Sequence, residues 1–226
     1  MRYENVRKEL ENLKNKEKAK ILQGFFKTGK GEYGEGDVFL GISVPDSRNV
    51  SRKYKDLEFN DIKKLLNSKE HEARLVGLLI LTYKSLDKNV FEFYLKNIKN
   101  VNNWDLVDLT SHKIIGEYLL DKDKKILYNL AKSNNLWERR IAIVSTYAFI
   151  KENKFEDTLK ISEILINDKH DLIHKAVGWM LREIGKRNFE KEEEFLNKYY
   201  KVMPRTMLRY AIEKFDEKKR KFYLGK

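Results

Sequence analysis

The chain has 226 residues, 41% of them hydrophobic and 36% charged, with a net charge of +12 at neutral pH. That composition supports a packed core under a heavily charged surface, and the excess of cations points to a polyanionic partner. Cysteine is absent, which excludes disulfides, thiol catalysis and thiolate metal sites. The longest apolar runs, such as 76–81, are too short to span a bilayer. The N-terminus shows no signal-peptide apolar region, so a soluble location in bacterial or archaeal cytosol, near the nucleoid, is expected.

Apolar residues recur at spacings of three and four along nearly the whole chain, which predicts an all-α protein. The expected helices are 3–15, 17–27, 46–56, 59–67, 70–85, 89–98, 103–120, 122–133, 136–151, 155–167, 171–186, 189–201, 204–214 and 216–223. Capping residues are expected at Asp46, after Pro45, and at Asn60-Asp61. Six of the eleven glycines fall between Gly24 and Gly41, so 28–37 reads as a glycine-rich loop. It is no phosphate-binding Walker loop, because the Gly-Lys-Ser/Thr spacing is missing and Glu32, Glu35 and Asp37 would repel phosphate. The longer helices start near 70, 103, 136, 171 and 204, each after a shorter one. A period of about 33–35 residues means stacked helix pairs. Tetratricopeptide and ankyrin signatures are missing, which leaves a single HEAT-like repeat domain over 1–226, an α-solenoid with a concave basic face.

One position in each second helix is occupied by Arg74, Asp108, Arg140, Lys175 and Arg209. Cations in register with the repeat predict a positive stripe suited to a phosphate backbone; a solvated charged face is the plainer alternative. In 171–186, Ile173, Val177, Met180 and Ile184 form an apolar stripe, while Lys175, Trp179 and Arg182 lie on the opposite face. A Trp between two cations away from the core suits a nucleic-acid surface. Trp137 aligns with Ile141, Val144 and Ala148 and reads as core. Trp104 projects from the same side as Asp108 but lies about 60° from Val107, so helical geometry leaves it between core edge and site. Asp108 is either half of a surface ion pair or a carboxylate with work to do among cations, such as stabilising a developing positive charge or orienting water. The four histidines lack the further ligands that a metal site requires.

Four segments, in order and spread over most of the chain, resemble the DNA alkylation repair family of HEAT-like-repeat DNA glycosylases. They are Phe39-Leu40-Gly41-Ile42 with Pro45, Trp104-Asp105-Leu106-Val107-Asp108, Trp137-Glu138-Arg139-Arg140, and the run from Lys175 to Glu183 that holds Gly178 and Trp179. The resemblance implies that Asp108 is the catalytic carboxylate and that Trp104 and Trp179 cradle the damaged strand. It further implies that Arg140 contacts DNA near the lesion and that Arg182 adds a backbone contact. Tyr33 is a candidate for the family's N-terminal DNA-contacting aromatic. The implied activity is that of a monofunctional glycosylase hydrolysing the N-glycosidic bond of N3- or N7-alkylated purines in duplex DNA, as a monomer, without cofactor, metal or membrane. The alternatives are a non-catalytic protein that binds damaged or branched DNA and a HEAT scaffold that binds protein.

Overall fold

The computed structural model describes residues 2–225. No β-strand occurs among them; the one strand-like feature is an isolated bridge between Val38 and Glu70. The chain divides into two compact units, Met1–Thr110 and Ser111–Lys226.

The first unit contains α1 (Tyr3–Leu13), α2 (Lys16–Phe25), α3 (Val44–Lys53), α4 (Phe59–Leu66), α5 (His71–Leu81), α6 (Lys88–Lys96) and α7 (Trp104–Ser111). α5 is buried along its entire length: 75–81 is apolar throughout, while His71, Glu72 and Arg74 in its first turn are buried against polar partners, and α3 and α4 pack on the helix. The segment before α3 turns sharply at Gly41, where φ is +84° and an added Cβ would lie 2.1 Å from the Asn15 carbonyl; only glycine fits there. The buried Glu72 carboxylate accepts the backbone N–H groups of Leu40, Gly41 and Ile42 at 2.8, 2.8 and 3.1 Å. That clasp fixes the loop that joins α2 to α3.

The second unit takes in the last residue of α7, Ser111, and a π-helical turn, His112–Gly116. It continues through α8 (Glu117–Leu119), α9 (Lys125–Ala131), α10 (Leu136–Ser145), α11 (Tyr147–Lys151), α12 (Glu156–Ile164), α13 (Asp171–Gly185), α14 (Phe189–Tyr199), α15 (Arg205–Ala211) and α16 (Glu217–Leu224). α13 is its hub, packed against α10, α14 and α15. Ile173, Val177, Met180 and Ile184 are all fully buried, each stabilising the fold by about 1.5–3 kcal/mol.

The longer helices start at 71, 104, 136, 171 and 205, close to the positions the repeat predicts. Three expected helices are interrupted. The 204–214 segment leaves the α-helix at Ala211 for a 3-10 turn, Ile212–Lys214. The 103–120 segment passes through the π turn, and 136–151 breaks at Thr146, whose hydroxyl bonds the Ile143 carbonyl. The caps also differ. Ser43, not Asp46, caps α3, accepting the Asp46 N–H at 3.2 Å, with Pro45 inside the first turn. Asn60 and Asp61 lie within the first turn of α4 after Glu58, which makes no side-chain cap. Trp137 is core, 8% exposed.

Candidate nucleic-acid interface

α7 is held at its start by its own side chains. Asn103 accepts the Trp104 N–H at 2.8 Å, and Asp105 accepts the Leu106 N–H at 2.9 Å; both satisfy amides that lack partners at a helix start. Beneath them lies a buried charge network. The His71 imidazole bridges Asp105 (2.8 Å) and Asp37 (3.1 Å), and Asp37 also accepts from Arg74 at 2.6 Å and from Asn102 and Asn103. Burial pushes the imidazole down, but the charge and hydrogen bond of Asp105 and the hydrogen bond of Asp37 outweigh it, and the pKa is lifted to about 9. Burial also opposes ionisation of Asp37, yet His71 and Arg74 hold its carboxyl below the usual range. The network sets the imidazole and the Arg74 guanidinium against Asp37 and Asp105, so none of these groups is buried without a partner.

Trp104 stands on this network through a column of rings. The indole stacks on Phe26 (4.9 Å between centroids, 7° between planes), Phe26 on Phe39 (4.8 Å) and Phe39 on His71 (4.3 Å). Phe25 meets the indole edge-on at 5.9 Å and is 62% exposed. One face of Trp104 is thus covered, and the residue as a whole is half-buried. Asp108, one turn further along α7, is also half-buried. It is close enough to Tyr94 that its charge adds to burial in holding that phenol well above the usual tyrosine range.

In the second unit the face of α13 opposite its apolar stripe carries Lys175, Trp179 and Arg182, all half-buried. Gly178 lets the helix approach α15, because an added Cβ would lie 2.4 Å from the Met207 carbonyl oxygen and 2.5 Å from Tyr210 Cβ. The Trp179 indole N–H donates to Glu183 at 3.2 Å, and its ring lies 6.0 Å from that of Tyr147. Lys175 pairs with Asp171 at 2.6 Å, and Arg182 pairs with Glu213.

The expectation of a continuous exposed basic row is corrected. Arg74 is 4% exposed and neutralises Asp37, and Arg140 is 5% exposed and donates to the Leu172 carbonyl. Arg209 is exposed, and Tyr33 is half-buried in the glycine-rich loop. In that loop Glu32 and Glu35 accept the N–H groups of Gly29 and Gly31, both at 2.8 Å. The joining of His71, Asp37 and Asp105 into one network goes beyond the expected site, and its one signal in the sequence is spacing: Asp37–His71 and His71–Asp105 are each separated by 34 positions, one repeat.

The solved structures similar to this chain share its fold. A protein from Enterococcus faecalis described as a predicted DNA alkylation repair enzyme matches with a TM-score of 0.72 at 19% identity, over 90% of this chain and 97% of the other. A member of a family described as related to the HEAT-like repeat DNA glycosylases, with affinity for branched DNA structures, matches with a TM-score of 0.62 at 15% identity, over 88% and 83%. AlkD2 from Streptococcus mutans matches with a TM-score of 0.55 at 22% identity, over 89% and 99%. No curated protein sequence matches. The architecture is the all-α HEAT-like repeat fold, and the sequence profile of the DNA alkylation repair enzyme family matches residues 6–215. With that match spanning nearly all of the sequence, the chain belongs to the DNA alkylation repair enzyme family.

Proposed function

We propose that this protein is a DNA glycosylase that releases cationic N3- or N7-alkylated purines from duplex DNA. The observation that carries the reading is the placement of Asp108 on α7: a half-buried carboxylate one turn after an indole fixed from below by three stacked rings. An alkylated purine already carries positive charge, so its departure needs no general acid. The required work is to stabilise an oxocarbenium-like sugar and to deliver water, and a fixed carboxylate does both. In this reading Asp108 faces the sugar and orients the water. By the resemblance, Trp104 and Trp179 offer ring faces to the damaged strand, each adding about 0.5–2 kcal/mol. Lys175, Arg182 and Arg209 supply charge for the backbone, Lys175 and Arg182 by exchanging their ion pairs with Asp171 and Glu213, and Tyr33 is by resemblance the N-terminal aromatic that contacts DNA. Arg140, buried and bonded to the Leu172 carbonyl, is left out of the contact set. The protein works as a monomer, without a cofactor.

The test is release of 7-methylguanine from methylated duplex DNA by the wild type and by Asp108→Asn. Loss of activity in the variant with DNA affinity retained supports the role of Asp108; full activity in the variant rejects it. The second reading, binding of branched DNA without base release, is favoured by the likeness to the branched-DNA family. Tight binding of four-way junctions by a wild type that releases no base establishes it instead.

A further inference from the structure

The basic row that the repeat predicts is partly buried, yet the first unit has unpaired cations elsewhere. An open polar cavity of about 220 Å³ lies beside the segments that lead into α5 and α7. Lys69, Lys99, Arg74, Asn100 and Asn102 line it, with Asp37 and Glu35 as the acidic members. Both acids are already engaged. Asp37 accepts from Arg74, His71, Asn102 and Asn103, and Glu35 accepts the Gly31 N–H. Lys69 and Lys99 form no ion pair or hydrogen bond through their ammonium groups among the described residues. Each asparagine amide uses one N–H, Asn100 on Asn67 and Asn102 on Asp37, and keeps a second one.

We propose that this cavity binds a phosphate group, held by Lys69 and Lys99 with the spare amide hydrogens of Asn100 and Asn102. The chemistry favours a compact, multiply acceptor anion. Two ammonium groups without ion pairs and two planar amides line one cavity, and of its two carboxylates Asp37 is already offset by Arg74 and His71 while Glu35 accepts the Gly31 N–H. The N-terminal ends of α5 and α7, of 11 and 8 residues, add positive potential nearby. Arg74 is not a direct ligand here. Its guanidinium already donates to Asp37 and to the Ser68 carbonyl and shapes the wall.

Two sources supply such a group: the backbone of bound DNA, which rests on the function proposed above, and a free phosphate, which does not. The experiment compares the wild type with the Lys69→Gln/Lys99→Gln double variant and with a control, Lys63→Gln/Lys88→Gln, that removes the same charge from exposed positions on α4 and α6. The first arm measures duplex affinity across salt concentrations. A backbone phosphate in the cavity makes the slope of log K against log salt shallower by about 0.9 in the double variant than in the control. The second arm measures the thermal midpoint in inorganic phosphate against chloride at equal ionic strength. A free phosphate raises the wild-type and control midpoints but not that of the double variant. A change in either arm supports the site and names its source; matching behaviour of double variant and control in both arms overturns it. Should the wild type bind no DNA at all, the proposed function fails, and the phosphate arm alone still decides the fate of the cavity.

Discussion

Replacing His71 by Gln tests whether the buried charge network holds up Trp104. The imidazole bridges Asp37 and Asp105, and its pKa is lifted from 6.5 to about 9. A rise of that size corresponds to about 3 kcal/mol of preference for the protonated form in the folded protein. The sign follows from the proton count. Below pH 6.5 the imidazole is protonated both folded and unfolded, and the stabilisation is complete. Between pH 6.5 and about 9 only the folded chain keeps the proton, so stability declines as pH rises, and the contribution is gone above that window. Glu192, lifted by burial to about 8, adds a decline of its own between about pH 4.5 and 8, but it is present in both proteins and cancels in the difference. Urea unfolding at pH 6 and at pH 9.5 should therefore show the wild type losing about 3 kcal/mol more than His71→Gln over this range. The variant should also be less stable at pH 6, because two buried carboxylates lose their shared cation, and its Trp104 emission should shift as the ring column loosens. Parallel pH profiles for the two proteins would refute the reasoning.

Gly178→Ala forces a methyl group against α15; overpacking costs about 1–3 kcal/mol, only partly offset by a gain of about 1 kcal/mol in helix propensity. A lower urea midpoint is expected, and an unchanged or higher one would show that the two helices can part without cost. Glu72→Gln removes the charge that clasps three backbone N–H groups and should destabilise by about 2–3 kcal/mol, since hydrogen bonds to a charged group contribute about 1.5–3 kcal/mol each. Limited proteolysis within 37–44 should then accelerate, and equal rates would count against the clasp.

The helix starts were legible because a stacked pair needs a nearly constant length of chain, and that length shows in the sequence as a period. Trp137 was legible because it shares a helical stripe with Ile141 and Val144, which are fully buried. Arg74 was not. Spacing reports which helical position a residue occupies, not whether a distant loop brings a counter-charge to it, and Asp37 reaches Arg74 from the glycine-rich segment. The π turn at His112–Gly116 was hidden for a similar reason, since periodicity over five residues cannot separate 3.6 from a slightly wider winding. The cap of α3 falls at Ser43 and not at Asp46 because proline commonly sits just inside a helix start, which puts the capping residue before Pro45.

The hydrogen bond from the Trp179 indole to Glu183 limits what that side chain is able to read. Its single polar hydrogen is occupied within its own helix, so the ring has no donor left for a base edge. In the function proposed above, a nucleotide stacked on it would meet a flat ring face and not that donor.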